Sequence, residues 1–239
     1  FFGIINIVTR SAGESPRTWG RLSGSQYQAG SAAAGFALGS VDQQVRGSVA
    51  ALTRTGESLS VPELGMPVES DGVDALIGAL VGRYQGAFGQ LRFFRRKREL
   101  PFAPYDTEVG NPDNRNIDTQ FMAEGGYTRD LSDRVTATGR AYVNRYRFRD
   151  FLVLADGSGT FTDVGDAFWY GGEARARVGL DGDDKYGVTT GGEVTIIDTS
   201  SQSFYVEDPD NTLTEVDTPL NTQGVYAEVD GQPLDWFAF

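Results

Sequence analysis

Seven consecutive residues, Arg92-Phe93-Phe94-Arg95-Arg96-Lys97-Arg98, concentrate five cations around two aromatics. In an extended strand successive side chains point to opposite faces, so Arg92 and Arg96 share one face and Arg95 and Lys97 the other. One row can attract an anionic ligand, while the other can hold phosphate groups with its charged donors. The same alternation gathers Glu124, Arg140, Asn144, Glu173, Arg175, Arg177, Glu193, Tyr226 and Glu228 on polar faces of their strands, where they can bind a polar ligand or hold a polar partner. Phe102, Tyr105 and Tyr205 fall in loop-like stretches beside Asp106, Glu108, Glu207, Asp208 and Asp210, and are candidates for an aromatic ligand platform. The oxygens of Glu207-Asp208-Pro209-Asp210-Asn211 could suit Ca²⁺, but the segment lacks the spacing and closing bidentate Glu of an EF-hand, and solvated loop charge accounts for it. No metal site and no cofactor are expected.

What is missing is equally informative. The 239 residues contain no His and no Cys, which excludes a Ser-His-Asp triad, a thiol nucleophile, a Cys/His zinc site and an imidazole base. Catalysis would have to run on carboxylates, Lys, Tyr or Ser-Lys, and no carboxylate pair stands out, so the chain is not read as an enzyme. A net charge of −12 argues against nucleic acid as a partner, because phosphate neutralisation needs a basic surplus. The longest apolar runs, 1–8 and 75–81, fall well short of the ~20 residues of a membrane-spanning helix, so any membrane crossing must use strands. The chain opens on Phe1-Phe2-Gly3 without a secretory leader and is expected to be processed or cut from something longer.

Period-2 patterning dominates. Phe168, Tyr170, Gly172, Ala174, Ala176, Val178 and Leu180 alternate with Trp169, Gly171, Glu173, Arg175, Arg177 and Gly179, and the pattern resumes after Asp181-Gly182-Asp183, which predicts a hairpin bringing Glu173 near Glu193. Strands are expected near 18–28, 31–39, 43–53, 74–84, 88–98, 118–128, 134–148, 167–180, 185–198 and 223–230, with an eleventh beginning at Asp235. Short turns near 40–42, 84–87, 130–133, 181–184 and 231–234 alternate with long polar loops near 55–72, 99–116, 150–164 and 199–222. Long strands, with short turns on one side and long loops on the other, describe an antiparallel transmembrane β-barrel. A soluble all-β binding module and a passive outer-membrane porin are the alternatives. The first strand has Arg21 and Ser23 on the same face as Trp19, and its outward side is left open. Trp169, Tyr170, Tyr127 and Trp236 are expected in aromatic girdles at the membrane interfaces.

The opening residues Gly3-Ile4-Ile5-Asn6-Ile7-Val8-Thr9-Arg10 resemble the segment that closes the plug domain of TonB-dependent outer-membrane receptors, where the chain passes directly into the first barrel strand. Ile4 stands where that family usually has Val. The resemblance implies a chain divided into the end of a plug at 1–13 and the N-terminal half of a barrel at 14–239, with 10–11 strands of a plugged 22-stranded whole. It also implies import of a scarce ligand, most often a ferric siderophore, driven through the TonB complex from a contact box outside this chain. The implied location is the outer membrane of a Gram-negative bacterium. On this reading Arg92, Arg96, Phe102, Tyr105, Arg140, Arg175, Arg177 and Tyr205 are the candidate ligand residues in lumen or loops, and Arg95 and Lys97, with Arg145 and Arg147, face lipopolysaccharide and outer-membrane lipid.

Overall fold

The computed structural model describes residues 17–25, 28–40, 42–56, 58–61, 65–68, 71–102, 106–182, 185–206 and 212–232. These form strands only; no helix occurs among them. In chain order the strands are β1 (Thr18–Gly24), β2 (Ala29–Gly39), β3 (Gln43–Arg54), β4 (Leu59–Val61), β5 (Met66–Val68), β6 (Val73–Tyr84), β7 (Ala87–Glu99), β8 (Arg115–Ser132), β9 (Val135–Val153), β10 (Thr160–Gly179), β11 (Tyr186–Val206), β12 (Thr212–Asp217) and β13 (Leu220–Gly231). Eleven of them make one antiparallel sheet in the order β1-β2-β3-β6-β7-β8-β9-β10-β11-β12, with β13 also paired to β11, and β4 and β5 form a small separate hairpin within the β3–β6 connection. The sheet is not closed, since β1 and the β12/β13 edge do not pair with each other.

Each large-sheet strand follows its neighbour as an up-and-down meander, so the long β3–β6 and β7–β8 connections fall on the side opposite the turns after β2, β6, β8 and β10, a side that also holds the short β1–β2 and β9–β10 connections. Gln85-Gly86 between β6 and β7 is a two-residue turn. Both residues have positive φ (46° and 88°), the geometry whose twist matches a two-residue hairpin and the reason Gly occupies the second position. β12 and β13 are two parts of one edge, running along β11 on either side of Pro219, which has no N–H to give to a ladder.

Four strands are longer than expected. β8 starts at Arg115, β9 runs on to Val153, β10 starts at Thr160 and β11 runs on to Val206, so much of the polar sequence expected as loops at 150–164 and 199–222 is sheet. In these extensions both faces carry polar or charged residues, which removes the contrast that marks alternation. β11 also holds one extra residue: Phe168 pairs with Thr199 but Trp169 with Ile197, leaving Asp198 as a bulge. Beyond it the even residues Gln202 and Phe204 take the face that odd residues hold below. The expected strand at Asp235 lies outside the described residues.

The register sorts the sheet into two faces. One carries Leu38, Val45, Leu80, Leu91, Val143, Tyr170, Val194 and Val225 in laterally paired rows. Its apolar residues are broadly exposed. Among the described residues the buried apolar set is only Ala37, Val68 and Leu152, so neither face is covered by a core. The upper, loop-side limit of this apolar face descends across the sheet. It lies at Ala51 and Leu76 on β3 and β6, at Phe93 and Phe121 on β7 and β8, at Val143 on β9, at Ile196 on β11 and at Val225 on β13; Phe168 on β10 stands one row above the trend. The next same-face residues toward the loops are Thr53 and Asp74, Arg95 and Thr119, Arg145, and Gln223. β1 is also settled by register. Leu22, 85% exposed, shares the apolar face with Ala32, and Trp19, Arg21 and Ser23 lie on the polar one, with the Trp19 ring over Gly35.

Candidate functional site

The second face is a continuous polar surface. Every residue assigned to it by alternation is there: Glu124, Arg140, Asn144, Glu173, Arg175, Arg177, Glu193, Tyr226 and Glu228 are linked by lateral pairing across β8, β9, β10, β11 and β13. The hairpin β10–β11 sets Glu173 directly opposite Glu193. The like charges are relieved sideways, because Arg140 on β9 donates from Nε to Glu173 at 2.5 Å and from Nη1 to Glu124 at 3.4 Å. Tyr226 donates to the other Glu173 oxygen. Glu124 and Glu173 are 14% and 11% exposed, so Arg140 holds two largely desolvated carboxylates together.

Three contacts on this face reach across an intervening strand, and each passes over a glycine. Tyr142 on β9 crosses Gly171 to exchange a hydrogen bond with Thr195 on β11 at 2.5 Å. Arg177 on β10 crosses Gly187 to Asp230 on β13 at 2.8 Å. Tyr226 on β13 crosses Gly191 to Glu173 on β10. The Phe148 and Phe88 rings likewise cover Gly165 and Gly126. A side chain can lie flat along the sheet only where the neighbouring position has none, which is why glycines recur on the charged face of β10 and β11.

Toward the loops the polar face continues through a second group. Arg96 donates to Asp118 at 2.5 Å from Nη2 and Tyr146 donates to the other Asp118 oxygen at 2.6 Å. Above them Asn116 donates to Asp150 at 2.6 Å, and Gln202 donates to both oxygens of Asp163 at 3.1 Å. Asp150 and Asp163 face each other beyond the cationic rows of β7 and β9. Burial pushes the carboxyl of Asp150 above its ordinary range despite the Asn116 bond, with the Asp118 charge adding to it, and burial does the same at Asp163. At the β9–β10 turn, bonds from Ser158 hold Asp156 below that range.

The remaining candidates separate. Arg92 is exposed on the polar face between Ala79 and Met122, and Arg175 is exposed beside Glu173 and Tyr226. Phe102 is 54% exposed in the β7–β8 connection, and Tyr105 lies outside the described residues. Tyr205 is in β11, not in a loop, and its pairing with Thr162 puts it on the face opposite Arg140 and Arg175. Of the expected loop platform, then, Phe102 is in a connection and Tyr205 in a strand. The segment 207–211 and the motif Gly3–Arg10 also lie outside the described residues. Among the girdle candidates Tyr127 and Tyr170 are exposed on the apolar face, Trp236 is outside the described residues, and Trp169 differs: it pairs with Asn144 and Ile197 on the polar face, since position decides the face whatever the residue type. Asp118, Tyr142, Tyr146 and Thr195 were not singled out by the sequence, although polar-face glycines at 171, 187 and 191 are the signal that room exists for a reaching side chain.

Chemically, the face is an array of satisfied ion pairs with exposed Arg92 and Arg175 beside it. Such an array fits docking of a polar surface or ligand better than proton transfer. Comparison of the chain with protein-family models, with curated proteins and with solved structures finds no match in any of the three.

Proposed function

We propose that this sheet is part of the barrel wall of a TonB-dependent outer-membrane receptor that imports a scarce ligand, a ferric siderophore or similar iron complex, using the proton gradient through TonB. The observation that carries the membrane reading is the slant of the apolar face. On β10 the row of Ala51 arrives at Asp166 and the row of Val225 at Ala174, eight residues further along, and the two ends of this descent lie seven strand spacings apart. At about 3.4 Å per residue and about 4.8 Å per spacing, the apolar limit runs at roughly 40° to the pairing rows. Strands of a membrane barrel tilt by about 35–45°, so a band parallel to the bilayer must cut the rows at such an angle.

The other face supports the same reading. A lumen wall facing a plug or a ligand needs paired, hydrogen-bonded charge, and Glu124, Arg140, Glu173, Arg177, Tyr226 and Asp230 supply it. A soluble module would need a covering layer on its apolar face, and the three buried apolar residues among those described do not make one. Iron uptake and TonB coupling rest on the resemblance of residues 3–10. In hydrocarbon the unpaired edges at β1 and at β12/β13 would each require a further strand.

The coding region flanking the segment tests the proposal. An upstream secretion signal with a plug bearing a TonB box, and further alternating strands downstream, is the expected result. A signal cleavage site directly before Phe1 together with a stop codon after Phe239 would overturn it.

A further inference from the structure

We infer that Asp150 on β9 and Asp163 on β10 form a pH-operated clasp, which ties the loop-side ends of β8 to β11 together when the pair holds one proton and loosens them when it holds none. The two residues are directly paired across the β9–β10 ladder on the polar face, loop-side of Val143 and Phe168 and clear of the apolar strip. Side chains paired in this way start about 5 Å apart. Asn116 on β8 donates its side-chain amide to Asp150 at 2.6 Å, and Gln202 on β11 donates to both Asp163 oxygens at 3.1 Å. Amide, carboxyl, carboxyl and amide thus follow one another over four neighbouring strands, and every link except the central one has its donor. Ionised carboxylates only accept, so a proton on either Asp supplies the missing donor. With it the chain of bonds is continuous from β8 to β11; without it two like charges face each other at its centre. The clasp rests on the β8–β11 ladder alone and stands apart from the membrane reading.

The surroundings favour a shared proton over two charges. Leu152, 2% exposed, and Phe161 form the next paired row toward the loops on the same face, and the Phe161 and Phe204 rings lie 5.8 Å apart. On the turn side the Phe148 ring covers Gly165. The charged groups facing the pair do not neutralise it. Asp118 on β8 adds a negative charge, and is itself engaged by Arg96 of β7 and Tyr146 of β9. Arg98 of β7 pairs with Asn116 and so stands two strand spacings from Asp150, about 10 Å. The upper ends of β11 and β12 present Gln202, Phe204, Val206, Thr214 and Val216 to this face, none of them charged. In the β7–β8 connection Glu108 accepts from Asn111, Asp113 pairs with Arg115, and Asp106 meets the β9–β10 turn through its backbone carbonyl. Arg147, Arg149 and Asp166 lie on the opposite face. Burial accordingly holds both carboxyls above their ordinary range in spite of the amide bonds, and the Asp150 charge adds to this at Asp163. Among the described residues no group of three or more Asp and Glu is set to hold a metal ion.

The test is amide hydrogen exchange of the detergent-folded full chain at about pH 4 and about pH 8, corrected for the intrinsic pH dependence of exchange and read at residues 150–153 and 160–163. Carboxyls raised in the folded state give stability that is greatest in acid and falls as pH rises from the ordinary value of 3.8 through the raised one. An interaction strong enough to couple two carboxyls gives about tenfold greater protection in acid. Asp163→Asn keeps the shape and puts a permanent amide donor at the centre, so it should show the high protection at both pH values. Asp150→Asn should do the same from the other side. Glu228→Gln, at the turn-side end of the same face, should keep the pH dependence of the wild type. Equal protection of the wild type at the two pH values overturns the inference. So does a tenfold pH dependence that survives in either Asn variant, or one that disappears in Glu228→Gln. Protection restored at about pH 8 by Ca²⁺ alone overturns it too, by making the pair a cation site.

Discussion

Replacing Gly171 by Ala is the most direct test of the bridged polar face. A methyl group at this position would lie 2.6 Å from Tyr142 Oη and 2.8 Å from its Cζ, and would also press on the Val194 carbonyl oxygen. Ordinary carbon contacts begin near 3.4 Å, so the ring must swing away and the β10–β11 ladder must give. Overpacking of this kind costs about 1–3 kcal/mol. Displacing the ring also breaks the Tyr142–Thr195 bond, worth about 0.5–1.5 kcal/mol. The expected loss is therefore about 2–4 kcal/mol, read from urea unfolding of the detergent-folded protein by tryptophan fluorescence. Tyr142→Phe separates the parts: it keeps the ring over the glycine and removes only the bond, so its loss should be about 1 kcal/mol. Gly139 is the internal comparison. Nothing lies within 4 Å of a methyl group there, and an Ala should gain about 0.5–1 kcal/mol by removing a flexible residue from a strand. If Gly171→Ala and Gly139→Ala unfold at the same urea concentration, the ring does not lie over Gly171 and the argument for strand-crossing contacts fails.

Other perturbations test separate parts of the structure. Arg140→Met should destabilise the folded protein by about 1–3 kcal/mol in the same urea assay, because it leaves Glu124 and Glu173 without their shared partner; an equal effect from Arg175→Met would refute that assignment. The carboxyl of Asp150 is raised in the folded state, so the fold binds its proton more tightly than the unfolded chain does. Stability then falls as pH rises from the ordinary value of 3.8 through the raised one, and the penalty is complete above it. Asp150→Asn should accordingly raise the thermal midpoint at neutral pH and lose that advantage below pH 3.8, and a gain independent of pH would count against burial as the cause. With the further strands that both edges require present, Leu91→Lys, in the middle of the apolar face, should cost about 2–4 kcal/mol of insertion into phosphatidylcholine vesicles, whereas Gln90→Lys on the polar face should insert normally. Equal insertion of the two would argue against a lipid-facing side.

The faces of this sheet were legible because the period of a strand is two whatever the tertiary context. That is why Glu124, Arg140, Glu173 and Tyr226, from four different strands, could be assigned to one surface before any pairing was known. The β10–β11 register was legible too, since two alternating runs separated by only a short Asp/Gly stretch can pair in few ways. The upper parts of β8 to β11 were not, because stretches such as 149–153 and 160–166 carry polar or charged residues on both faces, Arg149 against Asp150 and Asp166 against Asp163, and present no apolar contrast. Asp198 hid the rest of β11: one inserted residue reverses the parity beyond it, which is how Tyr205 came to be read as a loop aromatic and lies instead in the strand. The site's bonds were illegible for a different reason. Tyr142 to Thr195, Arg177 to Asp230 and Tyr226 to Glu173 each join residues 53 apart, and only the lateral order of strands makes them neighbours.

Those three strand-crossing contacts also bear on the shape of the sheet. Each ties two strands together on one side only, like a bowstring drawn across the strand between, and a bowstring is shorter than the arc it spans. With glycine at the middle position nothing props the span open, so tension on the polar side favours a sheet that is hollow toward its charges and convex toward its leucines and valines. The residues that neutralise one another over Gly171, Gly187 and Gly191 thereby also bias the direction in which the sheet rolls.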